Sequence, residues 1–401
     1  MLSAMRQSVR RTAIRIAVVT VMVSATTVGI TSAAHAAAEY TAWVDGGVLH
    51  YEYTPGAPTS HLVVRTVGST FTLDDSFGIF AGPGCWYPSL PDGTVVSCTG
   101  VGLPHVGYVN IRTGPTDDSI DFYPTGAYAT IGGFIDAGAG NDTIIGSDGS
   151  DKIYGGPGND YLSGWGAIDF LVGGPGADQL YGGADSDIVY YNDHVAGVLA
   201  SADGVAGDDG SPGEGDTIGT DVEGIEGSAF DDVLTGNAAG NILIGCGGSD
   251  RLDGLGGNDE LTGDGAGAGC AGVNAADVIL GGPGVDTVRY DERTARVVVD
   301  LAGSTANDGE AGEHDTVGPD VENVIGGSGD DTLTGNASPN VIDGGPGSDK
   351  LIGLDGDDTL RGGNGDDFLY GGNGADTLDG SFGTDLCDLG AGGLTATACE
   401  P

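Results

Sequence analysis

The sequence predicts an all-β fold in which short parallel strands stack coil upon coil into a solenoid, preceded by a small β-rich cap domain. Three observations predict it. A nine-residue unit recurs through most of the chain, most plainly between Tyr154 and Tyr181 as YGGPGNDYL, SGWGAIDFL and VGGPGADQL. Glycine supplies 79 of the 401 residues but does not fall at every third place, which excludes a collagen triple helix. A longer period of 99 residues lies above the short one: Asp187, Tyr191, Val198, Glu214 and Asp221-Val222-Glu223 return as Asp286, Tyr290, Val297, Glu313 and Asp320-Val321-Glu322. Ninety-nine is eleven nines, so the array keeps phase, which a disordered low-complexity chain has no reason to do.

Taken in order, residues 1–36 read as a secretory signal: Arg6, Arg10, Arg11 and Arg15, an apolar run from Ile16 to Ile30, and small residues ending Ala34-His35-Ala36. Residues 37–135 alternate short apolar runs (Val48–Tyr53, His61–Val67, Val106–Arg112) with turn signals such as Asp45-Gly46-Gly47 and Pro91-Asp92-Gly93. They are expected to form a β-rich domain that covers the open end of the solenoid. Repeat blocks are expected at 136–190, 227–290 and 326–388, separated by inserts at 191–226 and 291–325 that add strands or fold out as flaps, with a tail at 389–401. The six cysteines fall into local couples, Cys85 with Cys98, Cys246 with Cys270 and Cys387 with Cys399, and disulfides are expected for the first and third.

Each unit has one aliphatic residue at the centre of a three-residue strand and a six-residue turn ending in aspartate. Glycine at the first, second and fourth turn places permits positive φ and close backbone approach. Two units make one coil of eighteen residues. Asp142, Asp151, Asp160, Asp169, Asp178 and Asp187 are nine apart; a second series holds Asp232, Asn241, Asp250, Asp259, Ala268, Asp277 and Asp286, and a third Asp331, Asn340, Asp349, Asp358, Asp367, Asp376 and Asp385. Alternate members share one edge of the solenoid, so carboxylates stack at roughly the 4.8 Å spacing of paired strands. A core of one aliphatic residue in nine cannot absorb that repulsion, and a cation is required. An oxygen-only site beside flexible carbonyls suits calcium better than magnesium, which demands octahedral geometry and keeps its water. All seventeen aspartates of the three series are therefore candidate ligands of multiple Ca2+ ions.

The full pattern G-G-x-G-x-D stands at 155–160, 173–178, 281–286, 326–331, 344–349, 362–367 and 371–376. It resembles the RTX, or haemolysin-type, calcium-binding repeat, over roughly residues 136–388, and the layout resembles that of secreted actinobacterial members. The resemblance implies a parallel β-roll with calcium between successive turns, held by the aspartate and by turn carbonyls. Asn241, Asn340 and Ala268 depart from the aspartate, and Gly164-Trp165-Gly166-Ala167-Ile168-Asp169 lacks the second and fourth glycines. Weaker calcium binding is expected at these turns.

Lys+Arg total 13 against 59 Asp+Glu, for a formal charge of -46, which becomes -50 without residues 1–36. Nucleic acid and anionic membranes are disfavoured as partners, and cations are favoured. No HExxH and no G-x-S-x-G occurs, and His314 in Gly312-Glu313-His314-Asp315 aligns with glycine in Gly213-Glu214-Gly215-Asp216. The expectation is a secreted, non-enzymatic calcium-binding β-roll without a transmembrane segment in its mature form, structural or adhesive, with cell-surface or matrix components as partners. The alternative is a secreted hydrolase or toxin that uses the roll as a folding and secretion aid.

Overall fold

The structure is a computed structural model that describes residues 40–45, 48–53, 61–67, 70–75, 79–86, 95–98, 109–124, 130–265, 270, 275–303 and 307–399. The expected signal at 1–36 and the Ala268 turn lie outside them. Every regular element among the described residues is a strand. The repeats form a two-faced parallel β-roll. Each unit contributes one strand to alternate faces, and strands on one face pair at an offset of 18: Thr143 with Tyr161 with Gln179 on one, Lys152 with Phe170 with Ile188 on the other. The central aliphatic residue of every unit points between the faces, so Ile144, Leu162 and Leu180 stack in one column and Ile153, Leu171 and Val189 in the other, all fully buried.

The faces differ. One is a single 17-stranded sheet from the hairpin Tyr40–Asp45/Val48–Tyr53 to Thr395–Thr397; the other is divided into sheets of nine, five and six strands, and the divisions fall at the inserts. The inserts add strands. In the first, the chain leaves Ile188–Tyr190 and builds Leu199–Ser201, the opening strand of the five-stranded sheet. It then doubles back to lay Thr217–Ile218 on Gln179–Ala184 as the closing strand of the nine-stranded sheet. Asp209 clasps the two across the division: its Oδ1 accepts Ser201 N at 2.7 Å and its Oδ2 accepts Ile218 N at 2.9 Å. Asp308 repeats the clasp in the second insert, from Asp300 N at 2.8 Å and Val317 N at 3.1 Å. In the second block the offset jumps to 27, Arg251 pairing with Val278 and Glu260 with Thr287, so the pairing skips nine residues there. Cys246 and Cys270 are bridged beside that step, and all three cysteine couples are bridged, one more than expected from sequence.

The stack also begins earlier than the repeats suggest. Val109–Arg112 pairs in parallel with Gly133–Asp136, and Ser119–Tyr123 with Thr143–Ile145, so the boundary expected at 135 falls inside the roll. Upstream, the hairpins Tyr40–Asp45/Val48–Tyr53 and His61–Val67/Thr70–Asp75 continue one face each. Larger side chains fill the end that they cover: Tyr40 and Tyr51 stack at 5.0 Å between centroids and Phe71 is fully buried. The hydroxyl of Tyr51 donates to Asp75.

With one buried aliphatic residue per unit, each carries a large share of its layer. Leu162→Ala, between Ile144 and Leu180, is expected to lower stability by about 2–5 kcal/mol. Chemical denaturation in calcium checks this, and a loss well under about 1 kcal/mol would mean that the aliphatic column is not the core.

Candidate metal centre

The turn aspartates are not solvated. Asp142, Asp160, Asp178, Asp250, Asp358 and their counterparts are almost wholly buried. The backbone N–H of each donates to Oδ1 of the aspartate one layer on: Asp142 to Asp160, Asp160 to Asp178 and Asp151 to Asp169 at 2.7 Å, Asp331 to Asp349 and Asp349 to Asp367 at 2.8 Å. This bond uses one carboxylate oxygen and turns the other inward.

What meets the second oxygen divides the turns into two kinds. In open turns Oδ2 is buried and has no hydrogen-bond partner; these end at Asp142, Asp160, Asp169, Asp178, Asp187, Asp250, Asp259, Asp286, Asp349, Asp358, Asp367, Asp376 and Asp385, and Asp277 shares the unpartnered oxygen. The second turn place has positive φ in each, as in Gly156 (96°), Gly174 (95°) and Gly345 (92°). Beside Oδ2, in every open turn but the one ending in Asp142, which begins with Ala137, is a space that the first glycine keeps clear. A Cβ on Gly155 would stand 2.3 Å from Asp160 Oδ2 and 2.7 Å from Gly173 O, and one on Gly344 2.5 Å from Asp349 Oδ2 and 2.7 Å from Gly362 O. A carboxylate oxygen and a carbonyl from the next layer thus converge on one cradle.

In closed turns the second residue is outside the left-handed region, and its N–H reaches the side chain instead. Ser147 N donates to Asp151 Oδ2 at 2.7 Å, Ser228 N to Asp232 Oδ2 at 2.6 Å and Gly327 N to Asp331 Oδ2 at 2.7 Å. Asn237 N and Asn336 N donate to Asn241 Oδ1 and Asn340 Oδ1 at 2.7 and 2.8 Å. The amide of Asn336 also donates to Val321 O at 2.9 Å, and that of Asn340 to Glu322 O at 2.6 Å, so neutral N–H groups satisfy carbonyls where an open turn has none to offer. The period alone could not separate these turns, because Asp151, Asp232 and Asp331 hold the same register as the open ones.

Expectation and structure also differ at the turn ending in Asp169. Trp165 and Ala167 take φ of 80° and 66° without glycine, and Asp169 Oδ2 stays open; Cys246, Leu255, Leu354 and Ser381 do the same at their second places. His314, at φ 70°, matches Gly215 at 89° and is a loop residue in a glycine conformation.

The structure adds column members that the repeat pattern missed. Asp118 N donates to Asp142 Oδ1 at 2.6 Å. Across the inserts Asp178 N reaches Asp216 Oδ1 at 2.9 Å and Asp187 N reaches Glu223 Oε2 at 3.0 Å; Asp315 and Glu322 serve Asp277 and Asp286 in the same way at 3.0 Å. Glu223 lies 36 residues, four nines, beyond Asp187, so the phase held its signal. Asp216 lies 38 beyond Asp178 and gave none.

Burial pushes several of these carboxyls well above the ordinary range, and neighbouring carboxylates add to it against the N–H each accepts. Asp142, Asp169, Asp178 and Asp250 rise to about 8 and Asp277 to about 9. A buried, unpartnered, mutually repelling set of oxygens is stable as anions only around a cation. The donors are all hard oxygens, which fits calcium.

The sequence model of the family described as RTX calcium-binding nonapeptide repeat (4 copies) matches residues 136–171, 166–193, 226–261, 325–360 and 352–387. A search of curated proteins found no match. The chain carries RTX calcium-binding repeats, and the protein is a calcium-binding β-roll.

Protons and calcium compete for these oxygens. The metal-free fold binds protons more tightly than the unfolded chain, whose aspartates keep the ordinary value of 3.8, so its stability is greatest at low pH and falls as pH rises toward about 8. With calcium the slope reverses, since the metal needs the deprotonated form. The residual β signal in chelator and the denaturation midpoint in calcium, followed at several pH values, should change in opposite directions as pH rises; parallel changes would show that the carboxyls do not hold the metal.

Proposed function

We propose that this is an exported protein whose roll folds when several calcium ions enter the open turns, and that it serves a structural or adhesive role outside the cell. The observation that carries the reading is the row of buried Oδ2 atoms without partners, one per open turn. Without the ion, each is a buried carboxylate beside others of its kind, and the formal charge of -46 opposes compaction further. An ion bound only by the folded roll converts its binding free energy into folding free energy. Three disulfides suit an oxidising compartment, where millimolar calcium is also met. Among the described residues no helix is long and apolar enough to cross a membrane.

The ligands in this reading are the open-turn aspartates together with Asp277. Asp151, Asp232 and Asp331, candidates on the period alone, close their turns with backbone N–H groups and need no ion.

Circular dichroism of residues 37–401, titrated with calcium after chelation and repeated with magnesium, tests the folding step. A coil-to-β transition with calcium alone is expected, and a β spectrum indifferent to chelator would overturn the proposal. The ligand assignment is tested by counting bound calcium at equilibrium. Asp178→Asn should bind less than the parent chain and Asp151→Asn the same amount; equal losses would erase the distinction between the two kinds of turn.

A further inference from the structure

The two inserts are copies at an offset of 99, and their differences single out one group. Tyr191, Glu214 and Asp216 recur as Tyr290, Glu313 and Asp315, but His194 becomes Arg293 and Asp193 becomes Glu292. In the second insert the Arg293 guanidinium lies 2.6 Å from Asp264 Oδ2 and 3.0 Å from Glu313 Oε1, and Tyr290 Oη donates to Asp315 Oδ2 at 3.1 Å. A permanent cation fills a pocket of buried carboxylates there.

The first insert has the same pocket and no such cation. His194, its side chain 5% exposed, places Nε2 2.9 Å from Glu214 Oε2. Tyr191 Oη faces the buried Asp216 carboxylate as Tyr290 Oη faces Asp315, and Asp216 Oδ2 receives no N–H. The ligand atoms of His194, Glu214 and Asp216 lie within 4.8 Å of one another. Asp193 Oδ1 sits 2.9 Å from Nδ1, which fixes the ring and aims Nε2 at the carboxylates, as metal-binding imidazoles are commonly held.

We propose that His194, Glu214 and Asp216 form a site for one divalent transition-metal ion of the zinc class, with Asp193 as the residue that positions the imidazole. The donor set separates it in kind from the calcium turns: calcium takes oxygen, whereas a nitrogen donor beside two carboxylates suits zinc. Asp216 Oδ1 is engaged by Asp178 N, which leaves Oδ2 for the ion. Such an ion ties the turn at Tyr191–His194 to the strand Thr217–Ile218, where the second face divides.

The test is calorimetric titration of the calcium-saturated chain with zinc ion. One equivalent is expected beyond any weak background, with Asp193→Asn about 10- to 100-fold weaker. His194→Arg copies a residue that the second insert already accommodates, and should abolish the equivalent while keeping the calcium-induced β spectrum. Arg293→His should raise the count from one to two. No equivalent in the parent chain, or an unchanged one in His194→Arg, overturns the site and leaves His194 as an imidazolium standing in for arginine. Should His194→Arg lose its β spectrum, the count in Arg293→His decides, and a failure to gain overturns the proposal. Because calcium is saturating throughout, failure here leaves the calcium reading intact.

Discussion

The roll depends on one hydrogen bond, from the backbone N–H of a turn aspartate to Oδ1 of the aspartate one layer further along. It sets the register, because only an offset of one coil brings the two together, and it does so at the turns, where the strands are too short to fix register themselves. The same bond decides the electrostatics. With Oδ1 committed, Oδ2 has one direction left, into the cradle that a first-place glycine such as Gly155 or Gly344 keeps open. Register and the requirement for a cation are therefore one constraint. An apolar column of single leucines, isoleucines and valines could not hold these layers against a line of buried like charges.

The closed turns show a second solution to the same problem. A residue at the second place that leaves the left-handed region sends its N–H to the carboxylate, and Asn237 or Asn336 adds an amide that satisfies carbonyls of the preceding layer. Positive φ at this place is the geometric switch between the kinds, and glycine is its usual carrier, not its cause. Trp165 at 80° and Leu354 at 79° hold open turns at a backbone cost of order 1–3 kcal/mol each. Two blocks open on closed turns, Asp232 and Asn241 in the second and Asp331 and Asn340 in the third, whereas the closed turn at Asp151 lies within the first. The second and third blocks start on layers whose polar atoms are satisfied without an ion, and these present Oδ1 acceptors and N–H donors to the open layers that follow.

Much of this was legible in the sequence, because the fold is periodic. A nine-residue spacing with one aliphatic residue and glycine turns gives parallel strands, alternate faces and aspartates on two edges, since the pleat and the turn leave no other way to bury Leu162 and Leu180 together. What was not legible depends on geometry that spacing does not encode. Asp151 and Asp160 hold the same place in the period and differ in the backbone at the second turn place, where Ser147 turns its N–H and hydroxyl to Asp151 Oδ2 and Gly156, at positive φ, does not. Asp216 takes the column place of a repeat aspartate from a loop that runs backwards, so counting in nines passes it by. The start of the roll at Val109 was hidden for another reason: Val109–Arg112 and Ser119–Tyr123 obey the coil without the glycine turn that advertises it.

The inserts determine how far one layer can influence another. On the unbroken face, column members run from Asp151 through Glu223 and Glu322 to Asp376; backbone-to-carboxylate contacts run within each block, and the blocks are joined there by the side-chain amides of Asn241 on Glu223 O and of Asn340 on Glu322 O. On the divided face, the columns stop at Asp216, Asp315 and Asp385, and the next block starts afresh with Val198 N on Asp232 or Val297 N on Asp331. In a stack where each layer touches only its neighbours, stability is close to a sum of layer and interface terms. Loss of an ion from a short column is then confined to its block, whereas loss from the long column weakens a contact on which both neighbouring blocks rest. Asp209 and Asp308 moderate the difference, because each joins strands on both sides of a division through two backbone N–H groups and needs no metal to do so. The blocks are thus joined by hydrogen bonds at the points where the ion columns are interrupted.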